Sequence, residues 1–144
     1  MSDIEALKVG VMDGTIDAIA TDHAPHVRRE KELPLDQAPP GMIGLETALG
    51  VVHAELNLSP DRLAQVMSVN PARIARLGDH GQPIAAGVPA NFCVVDMGAS
   101  WSIEGYAFES KSSNSPFAGK TLKGRVRHTV LRGERVVVDG EVAK

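Results

Sequence analysis

At 144 residues the chain is long enough for one ordinary domain, and a hydrophobic fraction of 43% is that of a globular protein rather than of a disordered chain. Aromatics are only 3%, so a core has to be built from Val, Ile, Leu, Ala and Met. A net charge of −3, from 15 basic and 18 acidic side chains, lacks the electrostatic footprint of a nucleic-acid or anionic-membrane binder.

The N-terminus, Met1-Ser2-Asp3-Ile4-Glu5, has neither the basic region nor the apolar core of a signal peptide. No apolar run approaches the ~18 residues of a membrane-spanning helix, so a soluble, cytoplasmic protein is expected. Ile4, Leu7, Val11 and Met12 recur at helical spacing with Asp3 as N-cap, and Asp13-Gly14 ends that helix. Ile16 to Thr21 then reads as a short buried strand, with an odd charge at Asp17. Helix, turn and strand form the closing half of an α/β repeat.

Thr21-Asp22-His23-Ala24-Pro25-His26 follows directly and carries the densest chemistry in the chain. Catalytic groups of α/β barrels sit at the carboxyl ends of strands, and an Asp there can ligate a metal and move a proton. On spacing alone, Asp22 divides evenly between that role and a turn-capping carboxylate. His26 divides likewise between a ligand-binding imidazole and an ordinary loop residue. A metal site made only of Asp22, His23 and His26 is disfavoured, because adjacent turn residues seldom converge on one ion.

Residues 27–43 read as a long loop, charged at first and then interrupted by Pro34, Pro39, Pro40 and Gly41. A loop of that length beside a site is usually functional. Pro40-Gly41 is either a simple bend or a point where main chain approaches a ligand closely. Arg28, Arg29 and Lys31 read as a solvated surface.

Helices are expected next on Leu45, Leu49, Val52 and Leu56, then after the Ser59-Pro60 cap on Leu63, Val66 and Met67. A further helix is expected after Asn70-Pro71, on Ile74 and Leu77, stopped by Gly78. From about Gly81, β-branched residues replace helix formers. Strands are expected at Asn91 to Asp96, Trp101 to Ile103, Arg125 to Leu131 and Arg135 to Val138, the last two joined through Arg132-Gly133-Glu134. Cys93, the only cysteine, excludes an internal disulfide, fits a reducing compartment and reads as a small buried hydrophobe. His53, His80 and His128 read as solvent-facing, and the Met residues as core fillers.

Four stretches together resemble the C-terminal portion of the dihydroorotases, cyclic amidohydrolases of pyrimidine biosynthesis. They run from Asp13 to His26, from Pro39 to Leu49, from Asn70 to Ile74, and from Ser110 to Phe117 with Gly119, Leu122 and Gly124. The resemblance implies an α/β chain: the C-terminal part of a (β/α)8 metal-dependent amidohydrolase barrel over residues 1–80, and the C-terminal strands of a small β-sandwich over 81–144. In that scheme Ile16 to Thr21 matches the eighth barrel strand, and residues 44–77 the closing helices.

The same resemblance implies reversible, zinc-dependent hydrolysis of dihydroorotate to N-carbamoyl-aspartate, on the route to UMP. Asp22 takes the role of metal ligand and of general base and acid. His26, Pro40 and Gly41 take substrate-binding roles, and His23 orients the turn. The sequence holds no counterpart of strands one to seven, of the His-x-His motif or of the later ligands, so the remaining Zn2+ ligands are missing from it. A truncated chain, inactive by itself, is therefore the expectation. Expected partners are the missing N-terminal half, a second copy, or aspartate transcarbamoylase. The last belongs to an alternative in which the chain is a non-catalytic subunit; a relative of allantoinase or the hydantoinases is a further alternative.

Overall fold

A computed structural model describes residues 2–104 and 108–143. Helix α1 covers Asp3–Asp13. Its N-cap is Ser2 rather than the expected Asp3: the Ser2 hydroxyl accepts the Glu5 amide at 3.3 Å, and the Glu5 carboxylate accepts the Ser2 amide at 2.9 Å. Gly14 closes the helix in the left-handed region, with φ of 96°. Asp13 accepts the Thr15 amide at 2.8 Å, a bond that holds its carboxyl below the usual carboxylate range. Ile4 and Leu7 are exposed, and only Gly10 and Val11 of α1 are buried.

The expected strand at 16–21 is no regular strand and pairs with no other strand among the described residues. A strand is defined by its neighbours' hydrogen bonds, and here other groups supply them. Ile16 donates its amide to the Gly10 carbonyl, while Arg62 Nη2 and Asn70 Nδ2 donate to the carbonyls of Ile16 (3.0 Å) and Asp17 (2.8 Å). The Ile19 amide reaches the Val66 carbonyl at 3.0 Å.

Apart from Gly10 on α1, these partners lie on one helical rod: α4 (Pro60–Ala64), a π-helical turn (Gln65–Val69) and α5 (Asn70–Ile74). Ser59 caps it and Pro60 occupies its first turn, as expected. Asn70-Pro71 does not start a new helix. A proline inside an α-helix removes a donor and clashes with the carbonyl four residues back. The wider π turn relieves that crowding just before Pro71, and its Val66 carbonyl serves Ile19 instead. The rod ends through Leu77 N–H to Ala72 O and Arg76 N–H to Arg73 O, with Arg76, not Gly78, at positive φ (56°).

The loop 27–43 contains one helical turn, α2 (Arg28–Lys31), which stops before Leu33-Pro34 because the residue preceding proline avoids helical backbone. Helix α3 (Ala48–Leu56) starts later than the Leu45 stripe predicts; residues 45–47 form a turn ahead of it.

Strands β1 (Phe92–Ser102), β2 (Thr121–Leu131), β3 (Glu134–Val138) and β4 (Glu141–Val142) form one antiparallel sheet in that order. The two strands expected within 91–103 are one, bent where Asp96 Oδ1 accepts the amides of Gly98 and Ala99, each at 3.0 Å. Arg132-Gly133 (φ 51° and 87°) and Asp139-Gly140 (53° and 85°) make two-residue hairpin turns with both positions at positive φ. Asn91 braces the first of these: it donates to Asp79 O and accepts the Arg132 amide, both at 2.6 Å. Cys93 is exposed on β1, a correction to its expected burial.

Helix α3 lies across β2. A Cβ on Gly50 would stand 2.9 Å from Leu122 Cδ1, and the His53 ring packs against Gly124, so His53 is not the solvent-facing residue expected. His80 and His128 are likewise only half-exposed, and Met12 is a surface residue rather than a core filler. Val66 and Ile103 are the most completely buried large side chains among the described residues. No helix among these residues is long and apolar enough to cross a membrane.

Candidate functional site

The segment 16–21 delivers its chain to a turn where Asp22 adopts φ of 45°. A non-glycine residue in that region is uncommon; Asp tolerates it better than most, and such strain gathers at functional sites. The Asp22 side chain is exposed and forms no hydrogen bond or ion pair with another described residue. Its carboxylate is thus not consumed in capping the turn.

His23 has a different job. Its Nδ1 accepts the amides of Gly44 (3.1 Å) and Leu45 (3.4 Å), which open the turn ahead of α3. An Nδ1 that accepts leaves the proton of the neutral ring on Nε2, so His23 orients the turn. One parallel bridge, His23 to Met42, and the Ala24 amide on Met42 O at 2.9 Å join the Asp22 turn to the far end of the 27–43 loop.

That junction brings His26 beside Gly41. Gly41 has φ of 116°, and a Cβ there would stand 2.7 Å from Ala24 Cβ and 3.3 Å from His26 Nε2. Both backbone and packing therefore require glycine. Pro40 and Gly41 are exposed and His26 is half-buried, so the pair presents main chain and an imidazole edge on one surface. Lys31, expected in a solvated run, instead donates Nζ to the carbonyls of Pro39 (2.8 Å) and Gly41 (3.0 Å).

Two residues without an assigned role in the sequence reading complete the surroundings. Asn114 donates Nδ2 to Ala24 O (3.0 Å) and Gly41 O (3.3 Å), and its Oδ1 accepts the His26 amide at 3.3 Å. Ser112 Oγ lies 2.5 Å from the His26 carbonyl and also contacts Asn114 Oδ1. Glu46 accepts the amides of Glu109 (3.0 Å) and Ser110 (3.1 Å), fixing where this segment starts. The Ser110 to Phe117 motif was the available signal, but nothing local in it reveals contacts 88 and 90 residues away.

A catalytic zinc ion takes about three protein ligands. Among the described residues no group of three or more His, Cys, Asp or Glu could hold a metal. These residues do not make a metal site by themselves, although the unengaged Asp22 carboxylate has the chemistry of one ligand. Although Cys93 as a residue is exposed, desolvation of its sulfur by neighbouring atoms pushes the thiol pKa up, away from the lowered range of reactive cysteines.

The amidohydrolase family matches residues 1–136. The dihydroorotase of Mycobacterium tuberculosis (strain ATCC 25618 / H37Rv) is 46% identical over 145 residues, covering 98% of this chain and 34% of the relative. That of Streptomyces coelicolor (strain ATCC BAA-471 / A3(2) / M145) is 43% identical, covering 97% of this chain and 34% of the relative. The chain thus spans about a third of the length of the curated relatives it matches. A D-hydantoinase (dihydropyrimidinase) from Thermus sp. superposes with a TM-score of 0.85 at 23% identity, over 96% of this chain and 32% of that one. The L-hydantoinase (dihydropyrimidinase) from Arthrobacter aurescens gives 0.84 at 27% identity, over the same shares. The α/β fold class read from the sequence agrees with these structures.

Proposed function

This chain belongs to the amidohydrolase family, and from that premise we propose that it supplies the C-terminal portion of a dihydroorotase. The reaction is the reversible, zinc-dependent hydrolysis of dihydroorotate to N-carbamoyl-aspartate in pyrimidine biosynthesis. One observation carries the reading: a relative 46% identical across 98% of the chain is a dihydroorotase, and this chain holds an Asp22 carboxylate that no other described residue engages. Asp22 takes a proton from the attacking water and returns it to the ring nitrogen as the carbon–nitrogen bond breaks. His26 donates a hydrogen bond to the substrate carboxylate, and the Pro40-Gly41 backbone lies against the ring. Any metal ligands besides Asp22 would have to come from outside the described residues, which hold no group of three or more His, Cys, Asp or Glu able to bind an ion.

The test is a hybrid enzyme in which this chain replaces the matching third of the Mycobacterium tuberculosis dihydroorotase. It should hydrolyse dihydroorotate, and Asp22→Asn should lower kcat by about 10²- to 10⁴-fold without unfolding it. Parental turnover in Asp22→Asn, or a folded hybrid inert towards dihydroorotate, overturns the reading.

A further inference from the structure

The surface assigned to substrate is made of two chain segments that sequence separates and no regular sheet joins. His26 ends one turn and Gly41 sits in another, and apart from the side chains described next they are joined, among the described residues, near His23 and Met42, through the bridge, the Ala24 amide on Met42 O and the His23 imidazole on the Gly44 and Leu45 amides. Left to these contacts, each turn would sample its own positions, and a ligand needing both would have to order them on binding.

Asn114 removes that freedom. A carboxamide offers two N–H donors and one acceptor oxygen with two lone pairs, and here every element is engaged. The donors go to Ala24 O on the His26 side and Gly41 O on the other, while Oδ1 takes the His26 amide. Its own carbonyl accepts the Ile43 amide at 3.3 Å, beyond the Gly41 turn. Ser112 braces the same joint through the His26 carbonyl, and Lys31 also donates to Gly41 O.

We infer that Asn114 is a positioning residue for this site: it locks the His26 turn to the Pro40-Gly41 turn, so that the imidazole and the Gly41 backbone meet a carboxylate-bearing cyclic amide as one preformed surface. It acts through His26 and Gly41 rather than on the reacting atoms. This rests on the dihydroorotase reading for the identity of the ligand, but the clamp itself is a property of the chain.

The experiment uses the hybrid enzyme with Asn114→Ala and Asn114→Asp. Asp fills the same space but has no donors, so two backbone carbonyls then face a carboxylate. Both variants should raise KM for dihydroorotate about tenfold or more, with kcat within about threefold of the parent. Amide hydrogen exchange at His26 should accelerate by at least a similar factor in Asn114→Ala, which removes the Oδ1 acceptor that Asp retains. Ser112→Ala, which keeps the Asn114 donors, should raise KM only about two- to threefold, and it serves as the second variant where Asn114 substitutions fail to fold. Unchanged His26 exchange, or faster exchange with KM unaltered, overturns the inference. A folded parent hybrid inert towards dihydroorotate brings down the functional reading alone, because the exchange measurement still judges the clamp.

Discussion

At the scale of single residues, Gly41 and Asp22 hold unusual backbone for different reasons. At Gly41 the constraint is doubled, since φ of 116° already excludes a side chain and Ala24 fills the space one would need. Gly41→Ala is expected to displace the turn at a cost of about 1–3 kcal/mol, raising KM for dihydroorotate in the hybrid about tenfold or more. Steady-state kinetics check this, and an unchanged KM contradicts the assigned role of this backbone. Asp22 was readable as a candidate from its place after an apolar run. Its freedom from neighbours was not, because a turn-capping Asp and a projecting Asp have the same sequence. Lys31 makes the complementary point: a basic residue among Glu30 and Glu32 looks solvated until the chain folds the Pro39 and Gly41 carbonyls back onto it.

At the scale of elements, the rod from Pro60 to Ile74 organises this part of the molecule. Its π turn accommodates Pro71, and its Arg62 and Asn70 side chains with the Val66 carbonyl replace a sheet ladder along 16–19. The Asn70-Pro71 pair is a helix-start signal by local rules. Here the preceding helix continues into it, and Asn70 turns its amide to Asp17 O instead of capping. The rod's C-terminal end carries a visible imperfection, Arg76 in a left-handed conformation that favours glycine. Arg76→Gly should stabilise the chain by about 1 kcal/mol, read as a higher urea midpoint at unchanged slope. A lower midpoint contradicts this account of the helix end. The Asp139-Gly140 hairpin teaches the opposite lesson: its dipeptide is a strong turn signal, and the second turn was there to be read.

At the scale of the whole molecule, the described residues leave several large apolar side chains exposed and assemble no cluster of metal ligands. Ile4, Leu7, Leu45 and Ile74 are each well over half exposed, at 67%, 59%, 64% and 60%. Apolar side chains this exposed at predicted core positions point to surfaces that fit against further protein. The chain on its own, supplied with zinc, should show no dihydroorotate turnover and no stoichiometric metal binding by equilibrium dialysis. The reason is ligand count: one unengaged carboxylate stands where a catalytic zinc ion takes about three protein ligands. Robust turnover by this chain alone contradicts that arithmetic.

The sequence alone determined what local chemistry controls: the Ser59-Pro60 helix start, the Arg132-Gly133 hairpin and the candidate turn at Asp22 to His26. These follow from backbone preferences within a few residues, which no distant contact has to supply. Tertiary structure decided the rest. Whether 16–21 is a strand depends on which partner takes its hydrogen bonds, and the rod takes them. Whether His26 and Gly41 form one surface depends on Asn114, whose carboxamide bonds span 73 to 90 residues. A hydrogen bond depends on distance in space, and chain separation leaves no mark on the residues that make it.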